Sequence, residues 1–196
     1  MTDAVIRAAG ETALEAITAI YNHSVLTETA SWDDQTVSLE NRRQWLVEHA
    51  TDPYVTLVAE LDGRVVGYAA YGQFRPKAGW SLTAEHSIYL TSEVKGRGIG
   101  TQLLTALLGA AADRGIHVMV GVLSADNEVS LRLHQRLGFV ETARMPQVGK
   151  KFGRWLDAVM VQRVLDERER PGDPVPTESA CRVPSSVPKD RLCSTP

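Results

Sequence analysis

Cysteine is nearly missing from this chain: 196 residues hold two, Cys181 and Cys193, both close to the C-terminus. Neither belongs to a CxxC or a Cys/His cluster, which excludes a disulfide framework and a zinc site of the usual spacing. A chain so poor in cysteine is expected in a reducing compartment, the cytoplasm. Long apolar runs are missing too. No stretch of 18 apolar residues is available to cross a bilayer, and Met1–Arg7 lacks the basic and apolar regions of a secretory signal. There is no excess of positive charge: 21 Lys and Arg stand against 24 Asp and Glu, a formal net charge of -3. That balance gives no pull toward nucleic acid or an anionic membrane, so neither is expected as a partner. What is present, 43% apolar and 23% charged residues, is ordinary for one soluble domain with a real core.

Apolar periodicity divides the chain into alternating elements between about residues 4 and 165. Ala4–Arg7 reads as a short strand. Leu14, Ile17, Ile20 and Tyr21 form a helical stripe, and Leu39, Leu46 and Ala50 mark a second helix. Tyr54–Leu61 and Val65–Tyr71 are strands joined by Asp62-Gly63, a strong two-residue hairpin signal. Glu85–Leu90, His117–Leu123, Phe139–Ala143 and Ala158–Leu165 read as further strands. Helices are expected to about Arg114 and over Asn127–Leu137, the latter closed by a left-handed Gly138. Mixed strands with crossover helices predict an α/β or α+β sheet domain over residues 1–165, and the central hairpin argues against an all-parallel sheet. Residues 166–196 are expected to be a disordered tail. From Pro171 onward they hold six of the nine prolines, with serines and no apolar periodicity.

Lys95-Gly96-Arg97-Gly98-Ile99-Gly100-Thr101 lies between a strand and a helix. Strand, glycine turn and helix in that order put bare backbone N–H groups at a positive helix end, which suits phosphate. Lys95 and Arg97 add two cations. No GxxxxGK[ST] run exists, and counting from Gly98 the third glycine of a dinucleotide fingerprint is Leu103, so both nucleotide readings fail. Further on, Asn127, Ser130 and His134 fall within about 60° of one another on one helical face. Val129, Leu133 and Leu137 make an adjacent apolar face expected to meet the sheet. A helix with one buried face and one polar face is the layout of a cleft wall.

These segments resemble the GCN5-related N-acetyltransferases. Lys95-Gly96-Arg97-Gly98-Ile99-Gly100 is similar to the acyl-CoA pyrophosphate loop of that superfamily, with lysine in the first position instead of arginine or glutamine. Asn127-x-x-Ser130-x-x-Leu133-His134-x-x-x-Gly138-Phe139 is similar to its second motif, with His134 in place of the tyrosine that in relatives can protonate the departing thiolate. The segments around Phe74-Arg75-Pro76, Thr83–Ser87 and Gly149–Asp157 resemble the phosphinothricin, methionine sulfoximine and methionine sulfone N-acetyltransferases.

The resemblance implies a single mixed, mostly antiparallel sheet flanked by helices, splayed to form an acetyl-CoA cleft. It implies acetyl-CoA as co-substrate, no metal, a small amine as acceptor, and a homodimer. Cofactor contacts fall on Ile88, Tyr89, Leu90, Lys95, Gly96, Arg97, Gly98, Ile99, Gly100, Thr101, Asn127 and Ser130. Glu85, on one strand face with Ser87 and Tyr89, becomes the general base, and His134 assists proton transfer. His86 points to the opposite face and reads as structural. Arg75 and Lys77 offer cations for the acceptor's oxyanion, and Trp32 walls its pocket. Lys150, Lys151 and Arg154 form a basic patch to which no role is given. Direct attack without an acyl-enzyme fits a chain with no cysteine near these motifs. The alternatives are a peptide N-terminal or polyamine acetyltransferase, or a non-catalytic acyl-CoA-binding sensor.

Overall fold

Strands β1 (Val5–Ala8), β2 (Val55–Leu61), β3 (Arg64–Gln73), β4 (Thr83–Leu90), β5 (Val118–Ser124), β6 (Val140–Lys151) and β7 (Arg154–Val164) make one sheet in the order β1-β2-β3-β4-β5-β7-β6. They belong to a computed structural model that describes residues 4–51 and 53–175. Helices α1 (Leu14–Thr27), α2 (Leu39–Glu48), α3 (Ile99–Asp113) and α4 (Glu128–Arg136) flank the sheet. The expected hairpin forms at Asp62-Gly63, whose φ values of 51° and 74° are those of a tight two-residue turn.

Strand alternation assigns the two faces of the sheet. Val58 and Tyr68 point toward α1 and pack with its Ile17 and Ile20. Leu57, Ala59, Ala69 and Ala84 point the other way, against Leu103, Leu104 and Leu107 of α3. Those leucines have no exposed surface, and each contributes roughly 2 kcal/mol through burial.

The β4–β5 pair positions the site. It is the one parallel pairing in the sheet, and it runs only from Thr83–Val118 to His86–Gly121. Beyond His86, β4 continues on β3 as far as Leu90, and β5 continues on β7 as far as Ser124. The two strands therefore part, leaving a wedge between them.

Three expectations need correction. The final strands are longer than Phe139–Ala143 and Ala158–Leu165: β6 and β7 are one long hairpin closed by Phe152-Gly153. The strand absorbs Pro146 and Gly149 as an irregularity between Met145 and Gly149. Lys151, expected in a solvated patch, ends β6 and is buried. On α4, Val129 faces solvent and His134 is the buried residue, so the apolar face is rotated from its expected place. Asp166 accepts from His117 Nδ1 at 2.8 Å and pairs with Arg168, which donates to the Gly115 carbonyl. Residues 176–196 of the expected tail lie outside the described residues.

Candidate active site

The wedge between β4 and β5 opens into a cleft of about 410 Å³. Glu85, Ser87 and Tyr89 line it from one face of β4, with His86 and Ile88 beside them. Val122 to Ser124 line it from β5, and Asn127 and Ser130 from the start of α4. Beyond His86 the β5-facing edge of β4 is unpaired by β5. The backbone of Ile88–Leu90 is thus presented along the wedge, while its other edge stays paired with Gly67–Ala69.

Glu85 is half-buried in the wall of this cleft. Burial raises its carboxyl above the ordinary value, and the nearby Arg75 charge offsets part of that rise. Tyr89 stacks on Tyr68 at 5.3 Å and meets the edge of Tyr21 at 5.6 Å. Burial raises its phenol strongly, so the hydroxyl stays protonated at neutral pH.

In the loop between β4 and α3, Gly96 and Gly98 take φ values of 79° and 82°, a left-handed backbone that glycine adopts without strain. The Arg97 N–H bonds to Val94, and those of Thr101 and Gln102 bond to Gly98. Ile99, buried, and Gly100 open α3 with amides that have no partner in the preceding helical turn. A side chain on Gly100 would press on Leu90 Cδ1 at 3.2 Å and Leu133 Cδ2 at 3.5 Å. Arg97 is exposed, as is Thr101. Lys95 pairs with Glu28 at the end of α1, tying this loop to the segment that bears Trp32.

Asn127 caps α4, its Oδ1 accepting from the Ser130 N–H at 3.1 Å. His134 departs from expectation. It is fully buried behind His86, with Nδ1 2.7 Å from the Ser130 carbonyl and Nε2 3.1 Å from His86 Nε2, and it is not part of the cleft wall. The reason lies on β5: Gly121 leaves the space, since a Cβ there would come within 2.8 Å of His86 Cε1 and 3.5 Å of His134 Nε2.

The cleft wall around Trp32 is built by residues distant in sequence. Trp32 lies flat on Gly149 of β6, where an added Cβ would sit 2.2 Å from the indole, and its Nε1 donates to the Thr29 carbonyl at 3.1 Å. Beside it the Tyr21 hydroxyl donates to Asp33, and both line the cleft. Lys151 Nζ donates to the carbonyls of Ser24, Glu28 and Ser31, clamping the end of α1 and the loop after it. Asp126 accepts from Thr29 Oγ1 at 3.0 Å, Ser124 Oγ at 2.7 Å and Arg154. Arg75 and Lys77 stand exposed on the β3–β4 loop, outside the cleft wall.

Sequence reading missed Tyr21, Asp33, Gly121, Gly149 and Lys151 because their contacts come from pairings between distant elements. Among the described residues no group of three His, Cys, Asp or Glu side chains could hold a metal ion. An anion cradle following β4 and a desolvated carboxylate on β4 suit a reaction that holds a phosphorylated donor and removes a proton from an acceptor.

Comparison with known proteins bears on that chemistry. Residues 17–139 match the model of the acetyltransferase (GNAT) family. The chain is 48% identical to the L-amino acid N-acyltransferase of Escherichia coli over 166 residues, covering 85% of this chain and 96% of that protein. It is 47% identical to an L-methionine sulfoximine/L-methionine sulfone acetyltransferase of Pseudomonas paraeruginosa over 164 residues, 83% and 95% of the two chains. A Salmonella typhimurium acetyltransferase solved with acetyl-CoA superposes with a TM-score of 0.84 at 45% identity, covering 87% of this chain and 98% of that one.

Proposed function

Because the chain belongs to the acetyltransferase (GNAT) family and is an acyltransferase, we propose that it moves the acetyl group of acetyl-CoA to the α-amine of a small amino acid of the methionine sulfoximine, methionine sulfone or phosphinothricin type. The observation that carries this reading is the cleft itself. Its volume of about 410 Å³ suits a small acceptor, and a carboxylate held above its ordinary pKa lines the wedge beside β4, the strand that leads into the glycine loop.

The chain's residues fit acetyl-CoA as co-substrate. The pyrophosphate goes to the amides at Gly96–Gly100, with Lys95, Arg97 and Thr101 around it. The pantetheine arm runs along the free edge of Ile88–Leu90 and against Asn127 and Ser130. Glu85 takes the first proton from the acceptor's ammonium, freeing the nitrogen lone pair for direct attack, and backbone N–H groups near Tyr89 polarise the thioester carbonyl. Trp32 walls the acceptor's side chain, while Arg75 and Lys77 meet its oxyanion at the rim.

We place the reaction in the cytoplasm, and with such acceptors it confers resistance to toxic amino-acid analogues. We assign a homodimer, supported by an exposed apolar groove bordered by Leu26, Phe152 and Trp155.

Thiol release from acetyl-CoA, measured with methionine sulfone, methionine sulfoximine, phosphinothricin, spermidine and short peptides, tests the assignment. Turnover is expected with the amino-acid analogues. Turnover on peptides or spermidine alone overturns the acceptor class, and tight acetyl-CoA binding without turnover on any amine makes the protein a sensor.

A further inference from the structure

Two of the side chains that line the cleft carry charge, and both are carboxylates: Glu85 on β4 and Asp33 on the loop after α1. His86, beside them, is held neutral by burial. Arg75 and Lys77 stand outside the wall, on the loop that follows the Gly72–Glu85 rung of the sheet. The wall is therefore negative and the loop next to it positive. Asp33 is also held in place. Burial and next the bond to Asp33 raise the Tyr21 phenol, so it keeps its hydrogen and donates it to Asp33 Oδ2. The Tyr21 ring is braced in turn. The buried Arg42 guanidinium lies over it, with Cζ 4.0 Å from the ring centroid, and Tyr89 meets it edge to face at 5.6 Å. The Asp33 N–H donates to the buried Ser31 Oγ at 3.3 Å. Asp33 Oδ1 meets no donor among the described residues. One oxygen of this carboxylate orients it, and the other is free to accept.

We propose that Asp33 is the residue that binds the acceptor's ammonium group, with Tyr21 as its positioning residue, while Glu85 handles the proton. The inference rests on the acetyl-transfer reading. An amino acid arrives as a zwitterion, and the charge layout sorts its two ends. The ammonium turns to the wall that holds Asp33 and Glu85, and the carboxylate turns to Arg75 and Lys77. One ammonium N–H donates to Asp33 Oδ1 in a charge-assisted bond. A second N–H breaks as its proton passes to Glu85, and the electron pair stays on nitrogen. The neutral amine still donates to Asp33, so the nitrogen is held while its lone pair is free. Binding and deprotonation are thus divided between two carboxylates of one cleft. A molecule of the same shape without the ammonium meets a wall that repels its carboxylate.

The test sets the charge of Asp33 against its shape. Asp33→Asn keeps the size of an exposed side chain and removes its charge. The KM for methionine sulfone is expected to rise about tenfold or more. Its kcat is expected to stay within about threefold and the acetyl-CoA KM to stay unchanged, the reverse of the split expected for Glu85→Gln. The desamino analogue of methionine sulfone serves as a competitive inhibitor without an ammonium. Its inhibition constant is expected to hold or fall in Asp33→Asn, since the repelling charge is gone. Equal weakening of analogue and acceptor reduces Asp33 to wall shape and overturns the proposal, as does an unchanged acceptor KM. Tyr21→Phe is expected to raise the acceptor KM about threefold and to add nothing to Asp33→Asn in the double variant. Full additivity of the two overturns the positioning role of Tyr21. Absence of wild-type turnover on every amine is a different failure, that of the acetyl-transfer reading.

Discussion

Glu85 and Arg75 are not in direct contact, yet they fix each other's consequences. As the proposed base, Glu85 works only when ionised, so turnover should fall as pH drops through its pKa, and burial sets that limb above the ordinary carboxylate range. Arg75 opposes the rise, so Arg75→Ala should move the acid limb of the kcat/KM profile to higher pH as well as weaken acceptor binding. A profile that keeps its midpoint in Arg75→Ala would separate the two groups. Glu85→Gln should reduce kcat by about 10²–10⁴-fold with acetyl-CoA affinity intact by calorimetry. Gly149 offers a test on the opposite wall. In Gly149→Val the new side chain occupies the indole's place, and the acceptor KM should rise at least tenfold while that for acetyl-CoA stays put. The place of Glu85 in the cleft wall with Ser87 and Tyr89 was legible from strand alternation. The contact of Trp32 with Gly149 was not, since 117 positions separate the two and no local pattern encodes it.

Among the elements, the β6–β7 hairpin is where sequence and structure part most. Proline and glycine within Met145–Gly149 hide a strand of twelve residues, because the penalties that exclude them from a regular ladder vanish at an irregular register. The hidden strand carries Lys151 to the three carbonyls at the end of α1, where it works as a cap delivered from another part of the chain. Lys151→Met should cost about 2 kcal/mol of stability, since hydrogen bonds from a charged donor are lost and buried carbonyls are left bare. In a chain of this size that is a fall of about 4–8 °C in Tm. Because the same clamp holds Ser31 beside Trp32, the acceptor KM should rise in step. A Tm change without a KM change would restrict Lys151 to stability. Helix α4 teaches a related lesson: its polar face was legible at Asn127 and Ser130, but a histidine buried against another histidine looks like any amphipathic residue in one sequence.

At the scale of the molecule, topology makes the site. A sheet that is antiparallel except at β4–β5 has one place where neighbouring strands can diverge without breaking a hairpin, and the cleft lies there. The alternation of strands and helices, the Asp62-Gly63 turn and the glycine loop made that architecture readable in advance. The closing segment was not readable, because Asp166 and Arg168 have no apolar periodicity to announce them. Burial alone would raise Asp166, but the Arg168 donors and His117 outweigh it and hold the carboxyl below its ordinary value. Its contribution to stability is therefore present above the unfolded pKa and lost as pH falls through the lower, folded one. A chain ending at residue 175 should keep this cluster and one ending at 165 should lose it, with the lower Tm in the second. Asp166→Asn should flatten the acid side of the stability curve; an unchanged acid transition would put the linked carboxylate elsewhere.

Gly121 has a historical consequence. Its missing side chain is the room in which His86 and His134 meet, so positions on β5, β4 and α4 are bound into one unit of inheritance. A lineage that placed a side chain at 121 would have to shift the His86 ring, 2.8 Å from the new Cβ, while His134, at 3.5 Å, would stay in ordinary contact.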